Sequence, residues 1–201
     1  MAESVMYHEG NRQLQDQFDS RRISDRLEEK LMRKEFSADD KQFIESLPYF
    51  FLATADAEGR PDCSFKGGPP GLVRITGPSE IAFPDYDGNG MFKSLGNIVV
   101  NADVGLLFIA MHDKPRRLRV NGSASVSDGD PLLAETVGAQ LIVRVTARAI
   151  FPNCPRYIPT MSSIEPSIYV PLAGQDAPEP AWKGFADFKD CIHPRQPTFK
   201  G

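Results

Sequence analysis

The sequence predicts a small antiparallel β-barrel preceded by helices, and three observations carry this prediction. Residues 49 to 150 contain short β-branched and aromatic runs separated by Gly, Pro, Asp and Asn, as in strands joined by tight turns. Only two helical patterns, 91–101 and 130–138, interrupt these runs, too few for a parallel sheet of alternating strands and helices. The first 47 residues hold 19 of the charged residues, a density that suits helices covering a core.

Residues 1–47 are predicted to form a helical cap on this barrel. A longer amphipathic pattern comes first, with apolar residues at four-residue spacing that we expect to pack on the core: Leu14, Phe18, Ile23, Leu27 and Leu31. A shorter helix follows, because Ser37 stands where an N-cap belongs and Asp40 lies three residues on. Pro48 ends that helix.

The barrel itself is predicted within residues 48–158. Six or seven strands are expected, at 49–56, 62–66, 71–76, 80–85, 104–110, 116–126 and 141–150. Residues 159–201 form a proline-rich extension, and nine of the 17 prolines lie after residue 150, so long helix or central strand is excluded there. Its apolar residues predict docking on the barrel or on a second subunit: Trp182, Phe185, Phe188 and Ile192.

Composition excludes several function classes. The 201 residues are 41% apolar and 25% charged with a formal net charge of -4, which describes one globular domain. The acidic balance and the absence of a basic run argue against nucleic acid as a partner. We expect no membrane span or signal peptide, and hence a cytoplasmic protein. The three cysteines and three histidines show neither a zinc pattern nor a hydrolase arrangement, so no metal is predicted.

The most informative stretch for function is PDYDGNGMFKSLGN, residues 84–97. A strand end is followed by a glycine-rich turn, and Lys93 and Ser94 then begin a helical pattern. Unpaired N–H groups of such a turn and helix start bind anions, and an ammonium and a hydroxyl strengthen that binding. The stretch therefore favours a phosphate site, although an exposed turn with an ordinary helix cap remains the alternative.

Two further clusters favour a planar, phosphorylated ligand. In the hairpin return strand 62–66, alternation places Ser64 and Lys66 on one face, with Cys63 and Phe65 on the other. In PRRLRVNG, residues 115–122, two guanidinium groups share one strand face. Such a pair repels unless an anion separates its members, so it indicates either an acidic ligand or surface salt bridges.

Taken together, these motifs resemble those of a known protein family. The segments FFLATADAEGRPDCSFK, AFPD, GNGMFKSLGNIVVNADVGLLF and RRLRVNGSASV resemble the pyridoxamine 5'-phosphate oxidase-related family of FMN-binding split barrels. The resemblance implies a mainly β fold, a six-stranded antiparallel Greek-key split β-barrel with an N-terminal helical cap. It also implies a homodimer with FMN at the subunit interface.

The resemblance further implies which residues contact FMN. By position they are Ser64, Phe65, Lys66, Gly67, Pro84, Asp85, Asn89, Lys93, Ser94 and Asn97, with Arg117, Arg119, Asn153 and Arg156 reaching the flavin from a second subunit. The chain departs from the family's oxidases in having Ser64 where an arginine is usual. Its residues after 150 lack the substrate-binding pattern of those oxidases, so vitamin B6 synthesis is not expected.

The leading functional hypothesis is an FMN-dependent oxidoreductase acting on a small organic substrate. A reduced nicotinamide or the substrate itself would supply the hydride, and no catalytic side chain is assigned because the cofactor carries the chemistry. One alternative is a reductase that uses the deazaflavin F420 on the same barrel. Others are a non-catalytic flavin- or haem-binding protein and a barrel without a cofactor.

Overall fold

The computed structural model describes residues 4–112, 114–159, 161–163, 165, 167–175 and 178–186. Seven strands form a single antiparallel sheet in the order β2-β1-β5-β6-β7-β4-β3. Their bounds are β1 Tyr49–Ala55, β2 Pro61–Gly67, β3 Arg74–Gly77, β4 Glu80–Tyr86, β5 Asp103–Ala110, β6 Arg116–Ser127 and β7 Ala139–Asn153. The helices are α1 Glu9–Gln17, α2 Arg21–Leu31, α3 Ala38–Ser46 and α4 Lys93–Val100, with 3₁₀ turns at Pro131–Glu135 and Ala181–Gly184.

The sheet curls into a split barrel, as predicted. The β1–β2 hairpin pairs with β5 and the β3–β4 hairpin pairs with β7, so β2 and β3 are the two unpaired edges. The strand count is seven rather than the six that the resemblance implied. The shortest strand is β3, a four-residue segment whose Arg74 and Ile75 pair with Ala82 and Ile81 of β4.

The core lies on the concave face of the sheet. Three aromatic rings from three strands meet there, with the centroid of Phe50 lying 4.9 Å from Phe83 and 5.5 Å from Phe108. Each of these side chains is at most 1% exposed, and burying one stabilises the fold by about 2 to 3 kcal/mol. Leu118 and Val120 of β6 point to the same interior, which assigns their neighbours Arg117 and Arg119 to the outer face.

The helical cap is only partly what the sequence predicted. Helix α3 packs on the core through Phe43 and Ile44, and Ser37 and Asp40 form the expected capping box. The expected packing of the longer apolar pattern is wrong, since most of its residues are exposed: Leu14 57%, Phe18 72%, Ile23 56% and Leu27 43%. Asp19 adopts a left-handed φ of 49° and divides the pattern into α1 and α2, which are joined by the Arg12–Asp25 ion pair.

Strand β7 extends three residues beyond its predicted end and contains Pro152. Strand β4 pairs only with residues Ala139 to Thr146 of β7, whereas β6 pairs with β7 as far as Asn153. A proline has no N–H to donate, and β7 tolerates Pro152 because β4 is absent there.

The C-terminal extension docks on the barrel over its described part. A Cβ atom added at Gly138 would lie 2.7 Å from the Cβ of Pro171, so the Pro171 ring packs directly on the Gly138 backbone. Lys183 Nζ forms an ion pair with Asp87 Oδ2 at 2.9 Å. Phe188 and Ile192 lie outside the described residues.

Cys63 and Cys154 are exposed free thiols, and Cys191 lies outside the described part of the chain. Within the described ranges, no group of three or more potential metal ligands occurs. No helix of the described ranges combines the length and the apolar character that a membrane span requires.

Candidate cofactor groove

A groove of about 970 Å³ lies at the split of the barrel, between the inner face of β2, the end of β4 and the start of α4. Lys66 Nζ on β2 approaches Asp85 Oδ1 on β4 to 3.8 Å across this split. The volume lies in the range of pockets that hold small molecules and cofactors. Half of the predicted flavin contacts line the groove: Ser64, Phe65, Lys66, Asp85, Asn89, Lys93 and Ser94.

The β2 wall of the groove is polar because of strand alternation. Ser64 and Lys66 are opposite Leu52 and Phe50 of β1, on the inner face. Phe65 is exposed on the other face beside Tyr49, and because β2 is an edge strand this residue also borders the groove. The predicted division of β2 into two faces is therefore confirmed. It gives the groove a hydroxyl and an ammonium within one strand.

Helix α4 meets this wall with its N-terminus. Its cap residue, Phe92, has a left-handed φ of 47° and makes no side-chain capping hydrogen bond. The first N–H groups of a helix have no partner inside the helix, and they lie at the positive end of its dipole. Ser94 Oγ is 3.0 Å from Ser64 Oγ and 3.2 Å from Asp62 Oδ2, so the first turn of α4 and β2 are in direct contact.

The loop before α4 is shaped by its own residues. Asn89 Oδ1 accepts a hydrogen bond from the Met91 N–H at 3.1 Å. Gly90 has a φ of +74°, which a side chain would oppose. Asn89 thus holds the turn that leads to Lys93, in addition to lining the groove.

The β4 end of the groove is partly buried and its charges are compensated. The Asp85 carboxylate accepts a hydrogen bond from Gln140 Nε2 at 2.9 Å and is only 12% exposed. Burial raises the pKa of the neighbouring Tyr86 phenol, and Arg74 opposes that shift only in part. The groove lining contains Asp62, Asp85 and Asp87 beside Lys66 and Lys93, so one chain supplies no excess of positive charge there.

Three predicted contacts lie outside the groove lining. Asn97 is 5% exposed, and its Nδ2 donates to Thr54 Oγ1 at 3.0 Å, which fastens α4 to β1. Gly67 ends β2, and a Cβ there would lie 2.7 Å from the Phe65 ring. Pro84 is buried and lines a separate cavity of about 230 Å³ beneath Pro171.

The remaining predicted contacts lie on or beyond the outer face of the sheet. Arg117 pairs in register with Asn153, and Arg119 with Phe151. Arg117 Nε and Asn153 Oδ1 are buried without a hydrogen-bond partner among the described residues. None of these residues, nor Arg156, lines the groove of its own chain.

Cys154 lies next to Asn153 at the end of β7, and the pKa of its thiol is lowered. The pKa of Cys154 is lowered, chiefly because the Arg156 N–H donates to its sulfur, and the charges of Arg156 and Arg117 act in the same direction. This end of β7 thus combines positive charge with an exposed thiol whose pKa is lowered.

Sequence reasoning missed several lining residues. Asp62 shares the β2 face of Ser64 and Lys66, and the period-two pattern was sufficient to include it. Gln140 and Pro180 carried no such signal, because only the pairing of β7 with β4 and the return of the C-terminal extension bring them to the groove. Trp182 lines the groove as well; the sequence allowed it either to stack on a flavin or to anchor the extension, and it favoured the anchor.

Comparisons with known proteins identify the family of the chain. The sequence model of a family described as pyridoxamine 5'-phosphate oxidase matches residues 36–166. No curated protein matches the chain. Among solved structures, an FMN-binding protein from Syntrophomonas wolfei is 10% identical, with a TM-score of 0.45 over 70% of this chain and 97% of that one.

Two further solved structures come from other bacteria. HutZ, described as the haem storage protein of Vibrio cholerae, is 16% identical over 59% of this chain and 95% of its own, with a TM-score of 0.43. HupZ from Group A Streptococcus is 15% identical over 58% and 93%, with a TM-score of 0.47. These identities are too low to transfer a ligand or an activity. The matched range 36–166 includes β1 to β7 and α4, and the chain belongs to the pyridoxamine 5'-phosphate oxidase family.

Proposed function

We propose that this protein binds FMN in the groove and acts as an FMN-dependent oxidoreductase on a small organic substrate. The observation that carries the proposal is the uncapped N-terminus of α4, where Lys93 and Ser94 face the polar wall of β2. This arrangement suits a phosphate ester at one end of the groove, since N–H groups, a hydroxyl and an ammonium converge there. The rest of the groove has room for a planar ring system.

The residues present fit the phosphate group, with one opposing charge. Ser94 Oγ has Asp62 and Ser64 as its partners, and it can donate instead to a phosphate oxygen. The negative charge of Asp62 repels the phosphate dianion. The positive end of the α4 dipole and the Lys93 ammonium offset this repulsion. The Lys66 ammonium lies further along β2 and favours negative charge on a bound ring.

The proposal includes a homodimer. Arg117, Arg119, Asn153 and Arg156 line no part of the groove in their own chain, and two buried polar atoms among them lack partners. A second copy that places this face over the groove would supply the positive charge that one chain lacks there. It would also give Arg117 Nε and Asn153 Oδ1 hydrogen-bond partners.

Bound FMN would supply hydride chemistry: a reduced donor such as a nicotinamide loses a hydride, and that hydride with one proton from water reduces the organic acceptor. The chain's contribution is binding, orientation and electrostatics. Lys66 is held near Asp85 at the split, which keeps its ammonium within the groove.

The visible spectrum of the purified protein tests the cofactor, followed by heat release and mass identification of the chromophore. Released FMN, and its reduction by NAD(P)H or a substrate, is the expected result. Released F420 would mean that the protein uses the deazaflavin as its electron carrier instead of FMN. A haem spectrum would mean that the ligand is not a flavin. Bound FMN that no donor reduces would mean that the protein binds flavin without catalysis. A colourless protein that also fails to take up FMN would overturn the proposal.

The phosphate end is tested by comparing FMN with riboflavin, which lacks the phosphate. Ser94→Ala and Lys93→Ala should each weaken FMN binding about tenfold and leave riboflavin binding unchanged, because each removes a charge-assisted contact to the phosphate. Lys30→Ala, on the exposed face of α2, is the control for general charge effects. Equal losses for both flavins would place the phosphate elsewhere.

A further inference from the structure

We propose that the C-terminal segment 178–186 builds a second subsite in the groove, with Trp182 as the specificity-determining residue for a planar, uncharged ring of the substrate. This inference rests on the proposed function, since it concerns what binds beside the flavin. Trp182 and Pro180 line the groove together with Tyr86, Gly138 and Gln140 of the barrel.

The segment is held in place by contacts of its own. Lys183 is 9% exposed on its side chain, and its ammonium pairs with Asp87, the residue that follows β4. The 3₁₀ turn Ala181–Gly184 is closed by the Lys183 N–H to the Pro180 carbonyl at 3.1 Å. The Lys183–Asp87 ion pair and the 3₁₀ turn that contains Trp182 restrict where its ring can lie.

A second contact braces the chain that leads into this segment. Pro171 lies against Gly138, where a Cβ atom would approach its ring carbons to 2.7 and 2.9 Å. Gly138 also has a φ of +76°, so its lack of a side chain serves both the turn and the close packing. The extension is therefore fixed to the start of β7, next to Gln140 in the groove wall.

The chemistry of this wall selects for a neutral ring. Asp87 is neutralised by Lys183, while Asp85 faces Lys66 and accepts from Gln140, so neither carboxylate is left for a cationic substrate. An indole binds flat rings by offset stacking or edge contact. Neutral quinones and neutral heteroaromatic rings have the matching shape and polarity.

The extension that contributes Pro180 and Trp182 to this subsite lies outside the range matched by the family model, whereas Tyr86, Gly138 and Gln140 lie inside it. The family match ends at residue 166, before Pro171, Pro180 and Trp182. The barrel and the phosphate end thus belong to the matched region, whereas Trp182 lies beyond it.

The test uses menadione, a neutral naphthoquinone, with anthraquinone-2-sulfonate as the charged planar comparison. Trp182 is the only tryptophan of the chain, so its fluorescence reports on binding at this wall. We expect saturable quenching by menadione and an affinity for the sulfonate at least tenfold weaker.

Calorimetric titration of menadione into FMN-loaded variants gives the decisive comparison. Trp182→Ala should weaken binding about tenfold and Trp182→Phe should restore most of it, while FMN affinity stays unchanged. Phe185→Ala, an exposed neighbour outside the groove lining, is the matched control. Menadione binding that Trp182→Ala does not alter would overturn the inference.

The proposed function and the Trp182 subsite can be rejected independently of each other. If the protein takes up no FMN, the proposed function falls, and quenching of Trp182 by menadione in the flavin-free protein still decides the subsite. If FMN binds but menadione and the sulfonate bind equally or not at all, the cofactor site stands and the neutral-ring subsite is wrong.

Discussion

Buried carboxylates join separate parts of the chain to the barrel. Asp40 is 1% exposed, accepts hydrogen bonds from the Ser37 N–H and hydroxyl, and pairs with Arg33 Nη2 at 2.7 Å. Arg33 in turn pairs through its backbone with Ile150 of β7. One side chain therefore caps α3 and ties the preceding segment to the sheet.

Replacing Asp40 with Ala should lower the free energy of unfolding by about 2 to 3 kcal/mol, because the cap and the ion pair are lost together. Asp39→Ala is the matched control. Asp39 is the adjacent residue, is 74% exposed and pairs with Arg116, so its loss should cost less than about 1 kcal/mol. Urea denaturation measures both, and equal effects would contradict the assignment.

A second carboxylate gives the protein an acid-sensitive link. Asp130 accepts from Arg144 Nε and Nη2 at 2.5 and 3.0 Å, and from the Leu132 N–H at 2.9 Å. The hydrogen bonds from Arg144 hold the pKa of Asp130 below its ordinary value, although burial acts in the opposite direction. This link joins the 3₁₀ turn Pro131–Glu135 to β7.

A depressed carboxyl pKa stabilises the fold above the unfolded-state value of about 4, and that stability is lost as the pH falls through the folded-state value. Asp130→Asn should therefore be less stable than the wild type by about 2 kcal/mol at neutral pH, and the two should converge in acid. Unfolding by urea at a series of pH values measures this. A constant difference down to the lowest pH would show that Asp130 does not titrate against Arg144.

At the scale of whole elements, α3 and the α1–α2 pair play different parts. Helix α3 places Phe43 and Ile44 in the core, whereas α2 buries no residue and α1 buries only Gln15. The ion pairs Arg12–Asp25 and Arg21–Asp16 join α1, α2 and their connection on the surface. The first two helices are therefore attached to the domain without contributing to its hydrophobic core.

Substitutions in the α1–α2 pair and in α3 should change the free energy of unfolding by very different amounts. Phe18→Ser, at a side chain that is 72% exposed, should change the free energy of unfolding by less than about 0.5 kcal/mol. Phe43→Ala, at a side chain that is 7% exposed, should cost about 3 to 5 kcal/mol. Thermal unfolding of both variants distinguishes the regions, and a large loss for Phe18→Ser would mean that its ring is covered in solution.

For the molecule as a whole, the outer face of the sheet is the proposed dimer interface. It carries aromatic and apolar side chains on neighbouring strands, with Phe65, Phe51 and Leu107 in register across β2, β1 and β5. Phe51 and Phe65 are in edge contact at 5.9 Å, and Phe65 is 62% exposed. Arg119 lies opposite Leu107, so basic residues border the apolar patch.

An arginine at the centre of this face should separate the subunits. Leu107→Arg is expected to turn a dimer into a monomer in analytical ultracentrifugation, since it places an unpaired charge in an apolar interface. FMN binding should weaken with it, because the second copy's arginines are then absent. Ala134→Arg, in the exposed 3₁₀ turn, controls for added charge. A wild-type protein that is monomeric and still binds FMN tightly would contradict the shared site.

The strand pattern, the α3 cap, the start of α4 and the polar face of β2 could all be predicted from the sequence. Each depends on local rules, such as the alternation that separates Ser64 and Lys66 from Phe65. Those rules do not tell a helical stripe that meets the core from one that remains exposed, and Phe18 was wrongly assigned to the core for that reason.

Which residues meet at the groove depends instead on how the whole chain folds. Asn97 faces Thr54 and Arg117 lies on the outer face, while Gln140 and Trp182 reach the groove from distant parts of the chain. These positions depend on strand order, on the curl of the sheet and on the path of the C-terminal extension. Such contacts join residues far apart along the chain, and no periodicity within one segment encodes them.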